Sequence, residues 1–97
     1  MKVIYKAPGQ APEIRDIPNT LEELQGTVGG NIEAVTVARD AAIICNEEGR
    51  LLDMPYNCTI FDHRFVGPVL IVGRDGEEFC DLSEEATGIL MRGWSWR

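Results

Sequence analysis

The sequence has few of the residues that catalytic, secreted or nucleic-acid-binding proteins depend on. Its 97 residues include one His, three Cys and nine Lys and Arg against sixteen Asp and Glu, which gives a formal net charge of -7. A chain so short of cations is a poor match to a phosphate backbone, because affinity for nucleic acid comes largely from Lys and Arg that neutralise phosphates. We therefore expect no nucleic-acid partner.

Long apolar runs are missing as well. The longest, Val66–Val72, is interrupted by Gly67 and Pro68 and is far shorter than the roughly 20 apolar residues of a membrane helix. The first residues, Met1–Pro8, lack the apolar stretch of about 7–15 residues that a signal peptide requires. Three cysteines at irregular spacing do not suggest a disulfide framework. We expect a cytoplasmic protein with no membrane contact.

The residues that are present predict one compact unit. The length fits a single domain, which we place at residues 1–97 with 94–97 as a short C-terminal tail. Alternation of apolar and polar residues, or short apolar runs between turn signals, predicts six strands. They are Lys2–Ala7, Ala11–Ile17 (an edge strand, because of Pro12), Ile32–Val37, Ala41–Cys45, Val69–Val72 and Glu78–Leu82.

Two short helices complete the prediction. Thr20 and Glu23 form the pattern of a capping box, and Gly29-Gly30 ends the helix that they begin. Ser83 caps a second helix, which ends near Gly93. The order of elements predicts an α+β fold, with a mainly antiparallel sheet built from hairpins and with both helices on one face.

The middle of the chain is harder to interpret. Asn46–Gly49 is a turn signal in which we expect Gly49 to take a positive φ. Arg50–Leu52 would then return antiparallel to the preceding strand. Residues 53–65 mix ionisable and aromatic side chains and predict a loop or a short helical turn.

Five parts of the chain form a recognisable set: Thr20–Gln25, Val28–Glu33, Ile44–Leu52, Pro55 with Asn57, and Gly67 with Val69–Gly73. Together they resemble a family of small proteins of unknown function found in bacteria, phages and mobile elements. The resemblance covers about Met1 to Leu90, and its most specific part is Cys45–Asn57. It implies an intracellular protein in a phage or mobile-element setting, and it implies no catalytic residues.

A metal site is the first chemistry to consider. Cys45, Cys58, Cys80 and His63 could in principle supply a Cys3His set. Structural zinc sites usually show ligand pairs two to four residues apart, and this chain has no such pair. We expect the cysteines to be small buried apolar residues and expect neither a metal nor a cofactor.

Thiol catalysis is a second hypothesis. Cys58 precedes Asp62 and His63, and His63 is the single side chain whose ordinary pKa lies near 6.5. A small thiol- or metal-dependent enzyme that uses Cys58 and His63 is therefore the alternative function. We assign no catalytic residue, because so short a chain leaves little room for a shielded pocket.

Binding to another protein is the favoured hypothesis. Exposed aromatic side chains are enriched at interfaces, and the candidate contact residues are Tyr56, Phe61, His63, Trp94 and Trp96. The two Trp could instead fold back over the sheet edge or a helix end. The acidic residues could imitate a phosphate backbone, but their spread through turns and caps favours a role in solubility.

These observations predict a small non-enzymatic interaction or accessory protein with an unknown protein partner, and the family resemblance implies that it belongs to a phage or mobile element. The edge strand at residues 11–17 would also allow a homodimer.

Overall fold

The fold is an antiparallel sheet covered on both faces. A computed structural model describes residues 1–96, and it confirms the α+β class and the mainly antiparallel sheet. The strands are β1 (Lys2–Lys6), β2 (Glu13–Asp16), β3 (Ile32–Ala38), β4 (Ala41–Asn46), β5 (Tyr56–Ile60), β6 (His63–Val66), β7 (Val69–Asp75) and β8 (Glu78–Cys80). The helices are α1 (Leu21–Val28) and α2 (Glu84–Gly88), and a π-helical turn (Ile89–Gly93) continues α2.

Six of the strands form one sheet. Its order is β2-β1-β7-β4-β3, and β8 pairs with the far end of β7. Strands β4 and β7 lie at the centre, which explains why their sequences are continuous apolar runs. Strands β5 and β6 form a separate two-stranded hairpin.

The two helices lie on opposite faces of the sheet, so the expectation that they share one face is wrong. Helix α1 packs through Leu24 and Val28 on the face that carries Val3, Ala42, Ile44, Leu70 and Val72. The other face is covered by the β5–β6 hairpin together with α2, the π-helical turn and the segment that follows it. The sheet is apolar on both faces because alternate side chains of β1, β4 and β7 point to opposite sides.

The caps of α1 confirm part of the prediction. Of the two bonds of a capping box, the structure of residues 1–96 shows one, in which the hydroxyl of Thr20 accepts the N–H of Glu23 at 3.2 Å. Gly29 takes a φ of +83°, and its N–H donates to the carbonyl of Gln25 at 2.8 Å. Ser83 caps α2 in the same way, by accepting the N–H of Ala86 at 3.1 Å.

The expected strand at Arg50–Leu52 is wrong. The side chain of Asn46 accepts the N–H of Glu48 at 2.7 Å and starts a series of tight turns. The N–H of Leu52 donates to Glu48, and that of Met54 donates to Gly49, so local bonds satisfy this backbone.

The expected positive φ at Gly49 is also wrong. The glycines with positive φ are Gly9, Gly29, Gly67 and Gly76. Gly49 instead lies in a tight space, since a Cβ there would lie 3.0 Å from Cγ2 of Val66.

The loop expected at residues 53–65 is largely the β5–β6 hairpin. Cys58, Ile60 and Phe65 point into the core on the face of the sheet opposite α1, which we call the lower face, and Thr59 and Arg64 point to solvent. A polar contact fastens the hairpin to β1: Asn57 donates to the carbonyls of Lys6 and Gly67, and the Lys6 ammonium donates to Asn57 at 2.9 Å. The hairpin therefore has a fixed position beneath the sheet.

Candidate interaction surface

The tip of the β5–β6 hairpin carries an unusual residue. Ile60 pairs with His63, so the loop consists of Phe61 and Asp62 alone. Their φ angles are +48° and +69°, the pattern of a type I′ turn, in which Asn-Gly or Asp-Gly is strongly preferred. A bulky side chain in the left-handed region costs on the order of 1–3 kcal/mol. The fold maintains Phe61 in this conformation although a smaller residue would suit the turn better.

Phe61 lies against the C-terminal segment, Trp94–Trp96, which follows the π-helical turn. Its ring meets the ring of Trp94 edge to face, with centroids 5.3 Å apart and an interplanar angle of 71°. Trp94 is half-buried below the sheet, whereas Phe61 is 61% exposed. Beyond Trp94, the indole N–H of Trp96 donates to the carbonyl of Leu90 at 2.9 Å. Both Trp side chains therefore turn back toward the sheet and pack against its core.

A mainly apolar cavity of about 190 Å³ lies beneath Phe61 and Trp94. Val37 and Ala38 of β3 form one wall, and Ile89 of the π-helical turn forms another. Such turns are rare and are often found at functional sites. The indole Nε1 of Trp94 is buried without a hydrogen-bond partner among residues 1–96. We define the hairpin-tip surface as Val37, Phe61, Ile89 and Trp94.

A second, polar cleft of about 360 Å³ lies on the other side of the tip. Glu33, Cys45, Arg50, Asp62 and His63 line it. The structure of residues 1–96 shows two ion pairs, Met1 with Asp16 and Glu13 with Arg15, and neither involves this cleft. Burial, reinforced by Glu33 and opposed by Arg50, raises the pKa of Cys45 to about 11. At neutral pH this thiol is protonated and is a poor nucleophile.

The candidate contact residues separate into different places. The structure brings Phe61 and Trp94 together, and Trp96 packs against the core nearby. His63 is exposed at the polar cleft. Tyr56 lies on the outer side of the hairpin, where its hydroxyl is 2.7 Å from that of Thr59 and its ring lies under the Arg64 guanidinium.

The cysteine and histidine of the alternative function do not form a reactive pair. Cys58 is fully buried opposite Phe65, and His63 is exposed opposite Ile60. Burial raises the pKa of the Cys58 thiol from its ordinary value, although Lys6 opposes the shift. An activated thiol requires the opposite change in pKa. Over residues 1–96 the structure also shows no group of three or more His, Cys, Asp or Glu side chains that could hold a metal ion.

Sequence reasoning missed Val37 and Ile89, because they come from distant parts of the chain and each looks like an ordinary apolar residue. The alternation of Cys58, Thr59 and Ile60 was a signal for the hairpin itself. The loop concealed that signal, because Phe61 stands where Asn, Asp or Gly usually opens such a turn.

Neither helix of the described residues has the length and apolar character needed to cross a lipid bilayer. Comparison with known proteins shows that the model described as "Domain of unknown function (DUF3846)" matches residues 1–94. No curated protein and no solved structure matches the chain. The chain belongs to the DUF3846 family.

Proposed function

We propose that this member of the family works by binding another protein through the hairpin-tip surface, as an accessory protein of a phage or mobile element. The observation that carries the proposal is Phe61, which is 61% exposed and has a positive φ at the end of a two-residue turn. Strained residues are concentrated at binding and catalytic sites, where function rather than stability maintains them.

The surroundings of Phe61 support a binding role. An exposed aromatic ring beside an apolar cavity is typical of the anchor points that dominate protein interfaces. Ile89, which also lines the cavity, is exposed as well. A partner that covered both side chains would remove apolar surface from water, which contributes about 25 cal/mol per Å².

Charge suggests the character of the partner. The net charge of -7 repels acidic surfaces and nucleic acid and favours encounter with a basic protein. Within the proposal, the protein acts in the cytoplasm of a bacterial host, where phage and mobile-element proteins meet their targets.

Site-specific photo-crosslinking in host cells tests the proposal. A benzoyl-phenylalanine at position 61 preserves an aromatic ring, and the same residue at position 21 is the matched control. Leu21 is similarly exposed but lies on α1, on the opposite face of the sheet. We expect one protein to be crosslinked from position 61 and not from position 21.

Phe61→Asn separates binding from folding. Asn accepts a positive φ more readily than Phe, so relief of strain offsets loss of the contact with Trp94. We expect the free energy of unfolding to change by less than about 1 kcal/mol, while the crosslinked partner no longer copurifies with the variant. The same crosslinks from positions 61 and 21, or undiminished copurification, would contradict the proposal.

A further inference from the structure

The two edge strands of the six-stranded sheet, β2 and β3, are not equally protected against pairing with a strand of another chain. Strand β2 has four residues, three of them charged, and Pro12 and Pro18 flank it. Short length, charge and proline are the usual means by which proteins protect an edge from pairing. Strand β3 has seven residues and a single charged side chain, Glu33. In residues 1–96, β3 has one strand neighbour, β4, so its outer edge is open.

The hydrogen-bonding pattern shows which backbone groups are free. Hydrogen-bonded and non-hydrogen-bonded pairs alternate in an antiparallel ladder. The N–H of Glu47 donates to the carbonyl of Asn31 at 2.8 Å, so Glu33 and Val35 continue the set that bonds β4. The backbone groups of Ala34 and Thr36 therefore point away from the sheet. The register shift between Thr36 and Ala38 lies at the end of β3 and leaves this stretch regular.

The hairpin tip lies beneath this open edge. Val37 and Phe61 line the apolar cavity, and Val35 and Asp62 line the polar cleft. Val35 and Val37 point to the same face of the sheet, because side chains alternate along a strand. A strand added beside β3 would place every second side chain on that face, next to the two cavities.

We propose that an extended segment of the partner protein adds to the edge of β3 and inserts a large apolar side chain into the cavity beneath Phe61 and Trp94. This inference rests on the proposed function and specifies how the partner is recognised. Main-chain bonds to Ala34 and Thr36 supply affinity, and the cavity supplies specificity, as in other cases of strand addition. An apolar cavity of about 150 Å³ can hold a benzene molecule, so one of about 190 Å³ has room for a Phe ring.

A second copy of this chain fits the edge less well. Two chains of net charge -7 repel each other. In a symmetric pairing, the side chains presented on this face would be Val35 and Val37 of the second copy. Both pack against the core of their own chain, so the cavity would stay empty.

Selection from a displayed library of short random peptides tests the inference on the folded chain. We expect enriched peptides that alternate apolar and polar residues and contain one aromatic or large aliphatic residue. Ala34→Pro removes an outward N–H, and Ala34→Val is the matched control that retains it. Proline is tolerated at edge positions whose N–H faces solvent, and a thermal melt checks that the variant folds.

We expect the enriched peptides to bind Ala34→Pro about tenfold or more weakly than wild type, with little change for Ala34→Val. Amide exchange on the wild-type chain supplies a measurement that needs no variant. Peptide binding should slow exchange at Ala34 and Thr36 about tenfold or more, with smaller changes at Glu33 and Val35.

The outcomes separate the two proposals. Peptides that lose affinity for Phe61→Asn but not for Ala34→Pro, with unchanged exchange at Ala34, would overturn strand addition and leave the proposed function standing. A dimer of the wild-type chain that Ala34→Pro dissociates would also overturn the inference, because the edge would then bind a second copy. Failure to enrich any such peptide would overturn it too, and crosslinking from position 61 would then decide the proposed function separately.

Discussion

The β7–β8 and β5–β6 hairpins have loops of equal length, but different forces maintain them. In β7–β8, Asp75 pairs with Glu78, and Gly76 opens the loop with a φ of +63°. In β5–β6, Phe61 and Asp62 take positive φ angles without any glycine. The first turn uses a glycine, for which a positive φ costs little, whereas the second uses Phe61, for which a positive φ is unfavourable.

Packing explains how the second hairpin tolerates its turn. Cys58, Ile60 and Phe65 are buried against the sheet, and Asn57 bonds the hairpin to β1. Burial of a large apolar side chain contributes about 1.5–3 kcal/mol, which offsets a strained loop. The β7–β8 hairpin depends more on its own turn and on pairing with a central strand.

Phe65→Ala should cause the largest loss in the free energy of unfolding, because it removes the main apolar anchor of the β5–β6 hairpin. Phe65 is 4% exposed, and truncation of such a residue costs about 3–5 kcal/mol. The matched change Phe79→Ala, in half-buried β8, should cost less than half as much. Chemical denaturation measures both, and equal losses would remove the distinction between the hairpins.

Gly73→Ala should cause the second-largest loss in the free energy of unfolding. At this residue β7 lies very close to the backbone that follows β8. A Cβ at Gly73 would lie 2.0 Å from the carbonyl oxygen of Asp81. Overpacking of this kind costs about 1–3 kcal/mol. The clash cannot be relieved by a change of rotamer, because the neighbouring atoms belong to the backbone.

Gly76→Ala is the control for that change, since it adds the same methyl group where nothing lies within 4 Å. It should cost about 1 kcal/mol through its positive φ alone. A larger loss for Gly76→Ala than for Gly73→Ala would show that turn conformation, not close approach, limits the hairpin.

The smallest expected effect is a difference in thiol reactivity between the two hairpins. Cys80 of β8 is half-buried and Cys58 of β5 is fully buried. Burial and the nearby carboxylates of Asp75, Asp81 and Asp40 raise the pKa of Cys80 as well, so access rather than acidity distinguishes it. We therefore expect a thiol reagent at pH 8 to label Cys80 slowly in the folded protein, while Cys58 and Cys45 react only on unfolding. Cys80→Ser should abolish the early phase, and early labelling of Cys58 would indicate that the β5–β6 hairpin opens readily.

The same thiols predict a dependence of stability on pH. Burial raises the pKa of Cys45 from 9.0 to about 11 in the folded protein. The unfolded chain therefore loses this proton first, so the contribution is intact below about pH 9 and is lost as pH rises toward 11. Denaturation midpoints across this range should fall less for Cys45→Ala than for wild type.

The α+β class, the six strands of the main sheet and the caps at Thr20, Gly29 and Ser83 could all be predicted from the sequence. Each depends on neighbours in the chain: alternation predicts a strand, and a hydroxyl three residues before an N–H predicts a cap. The edge position of β2 followed from Pro12 by the same kind of local argument.

The β5–β6 hairpin, the helices on opposite faces and the hairpin-tip surface were decided by tertiary structure. Phe61 has no local reason to take a left-handed conformation, and it does so because Phe65 and Asn57 position the hairpin beneath the sheet. Gly49 likewise depends on Val66, seventeen residues away in the sequence. Local rules act over a few residues, whereas the cavity beneath Phe61 exists only where β3, the hairpin and the C-terminal segment converge.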